Sequence, residues 1–204
     1  MDKSDNTLKS SSITSGENVS FWVDTTPILS FDTPSHDIQT EVLIIGGGIA
    51  GLTTAYKLLK AGKKVTLVED GFVGSGETGR TTAHLTCALD DRYYFLEKTF
   101  GENAAKQAAE SHAAAIDEIE KIVTELNIDC SFKRVNGYLF LHPTDKEESL
   151  DREFQITQKA GLQTFLLKGV PALANCEKER CLVFSNQAQF HILHYLKGLA
   201  EAVA

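Results

Sequence analysis

Long apolar runs are missing from this chain. The longest, around Val42 to Ile45, runs straight into glycine and is far too short to span a bilayer. A hydrophobic signal core is missing as well, because the opening MDKSDNTLKSSSITSGENVS is rich in serine, asparagine and threonine. That composition predicts a disordered tail over residues 1–19, and nothing in it directs secretion, so the expected location is cytoplasmic. Cysteine is scarce. Cys87, Cys130, Cys176 and Cys181 form no C-x-x-C pair and no regular framework, which argues against a disulfide scaffold and predicts reduced thiols. Cys176 and Cys181 could join His191 and His194 around a metal. Ordinary thiols and two histidines on consecutive helical turns are the simpler expectation, and no metal site is assigned. Positive charge is in deficit too: 20 Lys and Arg against 28 Asp and Glu leave a net charge of −8, which argues against a general nucleic-acid binder. There are no internal repeats, and 204 residues suit one large domain or one domain plus part of another.

What is present is concentrated in Glu41 to Asp70, EVLIIGGGIAGLTTAYKLLKAGKKVTLVED. An apolar run, Val42-Leu43-Ile44-Ile45, leads into Gly46-Gly47-Gly48-Ile49-Ala50-Gly51. A helical stretch follows, then a second apolar strand, Val65 to Val68, ending on Glu69. Strand, G-x-G-x-x-G, helix, strand and acidic residue stand in the order a dinucleotide site requires. Gly46 permits the tight turn out of the first strand, Gly48 leaves room for backbone beside a pyrophosphate, and Gly51 lets the helix pack on the sheet. The helix N-terminus offers unpaired N–H groups and partial positive charge to phosphates. Glu69 is placed to accept hydrogen bonds from the adenosine ribose hydroxyls, and a carboxylate there disfavours the 2′-phosphate of NADP.

Around this unit the pattern is mixed. Phe21-Trp22, with Pro27 and Pro34 beyond it, predicts an extended lead-in. Leu52, Ala55, Leu58 and Leu59 share one helical face that stops at Ala61-Gly62. A polar, glycine-rich loop runs from Gly71 to Thr82. Asp91 to Leu126 reads as two helices divided near Gly101, the longer with Ala105, Ala108, Ala109, His112, Ile116, Ile119, Val123 and Leu126 on its apolar stripe. His112 there is expected to be a packing histidine. Phe132 to Leu141 predicts a β-hairpin turning at Asn136-Gly137. Thr144 to Ala160 predicts a helix with Thr144 to Glu147 as its capping box. Short strands are expected at Thr164 to Leu167 and Leu182 to Phe184, a turn or short helix at Pro171 to Cys176, and a last helix from His191 to Val203. Only two strands of the nucleotide unit are clear, so the chain is expected to be the N-terminal part of a longer protein.

The loop after Glu69 separates NAD from FAD readings. Gly74-Ser75-Gly76-Glu77-Thr78-Gly79-Arg80-Thr81-Thr82-Ala83-His84-Leu85-Thr86 resembles the second flavin-contacting segment of the D-amino-acid oxidase-like (DAO) superfamily of FAD-dependent oxidoreductases. More narrowly, the chain resembles the branch whose longer members carry a C-terminal Rieske domain. The likeness includes Phe21-Trp22, Asn136-Gly137-Tyr138-Leu139 and Phe190-His191…Tyr195-Leu196. It implies an α/β fold, a Rossmann-like FAD-binding βαβ domain with an inserted α+β substrate-domain portion, incomplete at the C-terminus. Residues 20–130 would be the FAD-binding part with its helical segment, and 131–204 a partial substrate or cap domain. Gly46, Gly48 and Gly51 would hold the FAD pyrophosphate and Glu69 the ribose, while Arg80, Thr81 and Thr82 would run toward the flavin ring. The implied partners are a small-molecule substrate, an amine or amino acid among the candidates, and an electron acceptor such as a Rieske cluster in a longer parent. No C-x-H…C-x-x-H pattern occurs in this sequence to bind that cluster. No catalytic acid or base is assigned, and a loop residue such as His84 is expected to be structural or solvated. Two alternatives stand beside this one: a nucleotide-binding fragment without catalysis, and an NAD-dependent dehydrogenase.

Overall fold

The computed structural model describes residues 18–142, 144–169 and 180–204. The expectations for the tail at 1–17, for Pro171 to Cys176 and for Cys176 as a ligand therefore fall outside the described residues. At the start, one helical turn, α1 (Phe21–Asp24), replaces the extended lead-in. Ser20 Oγ accepts from Val23 N at 3.2 Å, and this side-chain cap closes the turn locally.

The βαβ unit forms where its pattern puts it. β1 (Val42–Ile45) and β2 (Val65–Val68) pair in parallel, from Val42 beside Val65 to Ile45 beside Val68. Between them α2 (Ile49–Lys60) buries Leu52, Ala55 and Tyr56. It ends as a glycine stop should: Gly62 takes φ +76° and donates to Leu59 O, while Lys63 N reaches Leu58 O. Leu43 and Ile45 point away from this packing, and Ile45 is 83% exposed.

A single 3-10 turn, Glu77–Arg80, and the short β3 (His84–Leu85) lead into α3 (Tyr93–Phe100) and α4 (Glu102–Glu125). Gly101, at φ +89°, makes the break between these helices. The buried stripe of α4 is Ala105, Ala109, Ile116, Ile119 and Ile122. His112 lies off it, exposed, and is not the packing histidine expected. Glu153 caps α3 from outside: 1% exposed, its carboxylate accepts from Tyr93 N and Tyr94 N at 3.0 and 3.1 Å. Burial pushes its pKa up, and those two donors oppose the shift.

The second sheet is antiparallel and centred on β6 (Arg180–Gln189). β4 (Lys133–Phe140) runs along one edge of β6, while β5 (Thr164–Lys168) and β3 share the other. The expected hairpin is therefore absent: Asn136-Gly137 sits inside one continuous strand. The irregularity belongs to β6, where Ser185 and Asn186 oppose the single residue Asn136, and Asn186 takes φ +61°. An Asn-Gly pair turns a chain only when its own flanks pair, and here a distant strand supplies the partner. α5 (Glu147–Lys159) begins without the capping box. Thr144 Oγ1 is instead 2.8 Å from His142 Nδ1, and Asp145 Oδ2 accepts from His142 N at 3.3 Å. Finally α6 (Ile192–Val203) packs back on α2, and Leu52, Tyr56, Ile122, Tyr195, Leu196 and Leu199 share one core.

Candidate functional site

The site is built at the carboxyl ends of β1 and β2, where a parallel pair leaves its ligand crevice. Gly46 leaves β1 at φ +107°, a conformation open to glycine. A Cβ on Gly51 would drive into the Gly46 carbonyl oxygen, so the first turn of α2 lies directly on the strand exit. Gly48 is the N-cap of α2 and brings no side-chain cap. Ile49 N has a weak acceptor in Thr78 Oγ1 at 3.3 Å, but Ala50 N and Gly51 N have none among the described residues. Backbone donors are thus left facing outward at the positive end of a helix dipole, the chemistry a pyrophosphate needs.

Glu69 ends β2 and turns its carboxylate to this loop. Oε2 accepts from Gly47 N, and Oε1 accepts from Gly71 N at 3.1 Å. The Gly47 donor, then the Gly71 donor, hold its pKa below the ordinary carboxylate value against a smaller opposing burial effect. Each oxygen keeps a second lone pair for an outside donor. Gly46, Gly48, Gly51 and Glu69 therefore come together, and the arrangement fits the adenosine and pyrophosphate end of a dinucleotide.

Thr78 is the residue the sequence did not single out. Its hydroxyl reaches the start of α2 across the 29 residues that separate it from Ile49, and a Cβ on Gly48 would lie 3.0 Å from it. Its signal was its place in the segment from Gly74 to Thr86 that resembles a flavin-contacting stretch, although only Arg80, Thr81 and Thr82 were assigned there. The loop is tied down by Gly74 N donating to Gly47 O at 3.2 Å, so the two glycine segments touch. Arg80 points elsewhere. Its guanidinium pairs with Glu77 at 3.2 Å on an open surface and does not reach Gly46 to Gly51. Thr81 and Thr82 are exposed; Thr81 Oγ1 accepts from Ala83 N at 3.3 Å. His84 lies exposed on β3, beside Gln189. His191 and His194 stack ring on ring, with centroids 3.6 Å apart, and no group of three or more candidate ligands gathers around a metal position among the described residues. Burial pushes the thiols of Cys87, Cys130 and Cys181 up in pKa, so they are poor nucleophiles.

Comparison with known proteins supplies a family and a fold. A family described as DAO, FAD dependent oxidoreductase, matches residues 41–204. The chain is 38% identical over 183 residues to a protein named as the Rieske 2Fe-2S iron-sulfur protein YhfW of Bacillus subtilis (strain 168), covering 90% of this chain and 36% of that protein. It is 29% identical over 178 residues to gamma-glutamylputrescine oxidoreductase of Escherichia coli (strain K12), covering 85% of this chain and 41% of that one. Among solved structures, L-amino acid deaminase from Proteus myxofaciens superposes with a TM-score of 0.68 at 19% identity, over 88% of this chain and 39% of that one. Glycine oxidase from Bacillus cereus ATCC 14579 gives 0.60 at 20%, over 81% and 44%. The structural likenesses establish the fold. The chain spans 36% to 43% of the length of the three curated relatives it matches over most of its own length. No helix among the described residues is long and apolar enough to cross a membrane.

Proposed function

Because this chain belongs to the DAO family of FAD-dependent oxidoreductases, we propose that it carries the adenosine and pyrophosphate end of an FAD site, in an enzyme whose flavin takes a hydride from a small amine or amino acid. The observation that carries this reading is the glycine turn closed against Glu69, with the N–H groups of Ala50 and Gly51 beside it unpaired among the described residues. The family match sets the NAD-dependent alternative aside. When bound, FAD supplies the hydride acceptor and the protein orients it.

The residues act in sequence along the cofactor. Gly46, Gly48 and Gly51 let backbone approach the pyrophosphate, and the amides at the head of α2 donate to its oxygens. Glu69 keeps its ionised carboxylate on Gly47 N and accepts ribose hydroxyls with its remaining lone pairs. Arg80, whose exposed pair with Glu77 is worth little, would offer its charge to the cofactor farther along, and Thr81 and Thr82 would offer hydroxyls beyond it. Residues 20–130 serve the cofactor in this reading and 131–204 the substrate side, except that α6 packs on α2. The amine or amino-acid substrate is supported by relatives named for gamma-glutamylputrescine and glycine. An iron–sulfur acceptor is supported by the relative named as a Rieske protein. The cytoplasmic location belongs to the same proposal, supported by the three free buried thiols.

The competing reading is a nucleotide-binding piece without catalysis, favoured by Arg80 resting on Glu77 instead of the glycine turn. Purifying the chain, recording its visible spectrum and identifying any nucleotide released on denaturation decides between them. A yellow protein that releases FAD is the expected result. A colourless protein that also fails to bind added FAD or ADP would sink the assignment, and ADP binding alone would favour the competing reading.

A further inference from the structure

The turn that precedes the nucleotide unit is absorbed by neither the βαβ motif nor the second sheet, yet it is hydrogen-bonded to the loop between them. Ser20 Oγ donates to Gly79 O at 2.6 Å, and Trp22 Nε1 donates to Thr81 O at 2.7 Å. Two side chains two residues apart, the N-cap of α1 and a residue within it, thus hold two carbonyls two residues apart on the loop, across 59 residues of chain. No backbone donor reaches Thr81 O among the described residues, so the indole N–H is its partner.

The loop needs such a partner. Just beyond Thr81, the buried Ala83 takes φ +57°, a conformation an L-residue with a side chain adopts only when its surroundings hold it there. On the far side Phe190 N donates to Ala83 O at 3.4 Å, so the stretch Thr81 to Ala83 is pinned from both flanks while Thr81 and Thr82 stay exposed. Close packing adds to the hold. A Cβ on Gly79 would strike Gly74 O and lie 3.6 Å from Val23 Cγ2, so loop and turn touch without a side chain between them. The turn itself is seated on α6. The Trp22 ring stands edge-on to His191 with centroids 4.9 Å apart, and Thr25 Oγ1 lies 2.9 Å from His191 Nε2. Thr25 Oγ1 already donates to Phe21 O, so it accepts from His191 Nε2.

We propose that Ser20 and Trp22 form a clip that positions the loop Gly79 to Thr82 for the flavin end of the cofactor, with His191 as its seat. They are positioning residues, since they touch the loop's carbonyls and not the cofactor. The proposal rests on the FAD reading above and deepens it. It follows that loosening the clip weakens the hold on FAD, which extends past Arg80, and leaves ADP, which ends at the glycine turn, unaffected.

The test compares the full chain with W22F, which keeps a ring against His191 and removes the indole donor, and with S20A. Affinities for FAD and for ADP are measured by equilibrium dialysis, with thermal unfolding as the check on folding. The expected result is FAD binding weakened about fivefold by W22F, with ADP affinity and melting temperature unchanged and a smaller effect in the same direction from S20A. Trp22 is the chain's one tryptophan, so in S20A its emission reports whether the turn stays seated. If W22F and S20A bind FAD as tightly as the parent chain, the clip is overturned while the FAD reading stands. Equal losses of FAD and ADP affinity with a lowered melting temperature would overturn it as well, because the turn would then be merely structural. A parent chain that binds ADP but not FAD leaves no flavin end to position and also overturns it. A parent that binds neither overturns the FAD reading itself.

Discussion

Gly48 and Gly51 stand three residues apart in one motif, yet an added methyl group meets different obstacles at each. At Gly51 the obstacle is the backbone oxygen of Gly46, which cannot move without displacing the end of β1. At Gly48 it is the Thr78 hydroxyl at 3.0 Å, the tip of a side chain that can rotate away. Gly51→Ala is therefore expected to destabilise the chain by about 1–3 kcal/mol, the range for forcing atoms into a packed site. Gly48→Ala is expected to stay within about 0.5 kcal/mol of the parent, the range of unforced substitutions. It should still weaken ADP binding, because its methyl group takes the space where backbone approaches phosphate. Urea unfolding and calorimetric titration with ADP read the two effects apart. Equal stability losses in both variants would mean that Thr78 is as immovable as the Gly46 carbonyl.

At the scale of the element, α6 begins on an N-cap whose chemistry depends on pH. His191 Nδ1 accepts from His194 N at 3.2 Å, and Nε2 donates to Thr25, so the neutral tautomer is fixed from both sides. Burial first, then the charge of His194, lowers its pKa from the ordinary 6.5. The unfolded chain then takes up a proton before the folded one does as pH falls. The stabilisation is fully present above about 6.5 and is lost as pH falls through the lower folded value. Unfolding free energies measured between about pH 7.5 and 5.5 should decline for the parent and less steeply for His191→Asn, which caps without titrating. Parallel slopes would contradict this assignment. Elements also show what the sequence could and could not disclose. The α3–α4 break and the glycine stop of α2 were legible because each is decided by residues a few positions apart, and the βαβ unit because one contiguous stretch, Glu41 to Asp70, carries its whole pattern. The Asn-Gly hairpin was misread because the partner of β4 is β6, more than forty residues on, and a strand cannot announce a distant partner. Thr78 was overlooked for the same reason, its role being set by the distant start of α2. The capping box failed because His142 took both Thr144 and Asp145.

At the scale of the whole molecule, α6 joins the two sheets into one folding unit. It follows β6 directly, and its buried face of Tyr195, Leu196 and Leu199 lies in the core that also holds Leu52 and Tyr56 of α2 and Ile119 and Ile122 of α4. The fit is tight: a Cβ on Gly198 would collide with the side chain of Ile128, just beyond α4. Neither sheet can lose α6 without exposing its share of that core, so the parallel pair and the antiparallel sheet should unfold together. Trp22 emission, which reports on the turn seated at the head of α6, and far-ultraviolet ellipticity, which reports on both sheets and all helices, are expected to give coincident denaturation curves. Leu199→Ala opens a cavity at the centre of this core and should cost about 2–5 kcal/mol while keeping the two curves superposed. If the curves separate, the nucleotide unit and the antiparallel sheet fold independently. Saturating ADP would then protect only the first of them. With one cooperative unit, binding at the glycine turn raises the melting temperature seen by both probes, because a ligand that binds only the folded state stabilises everything that folds with its site.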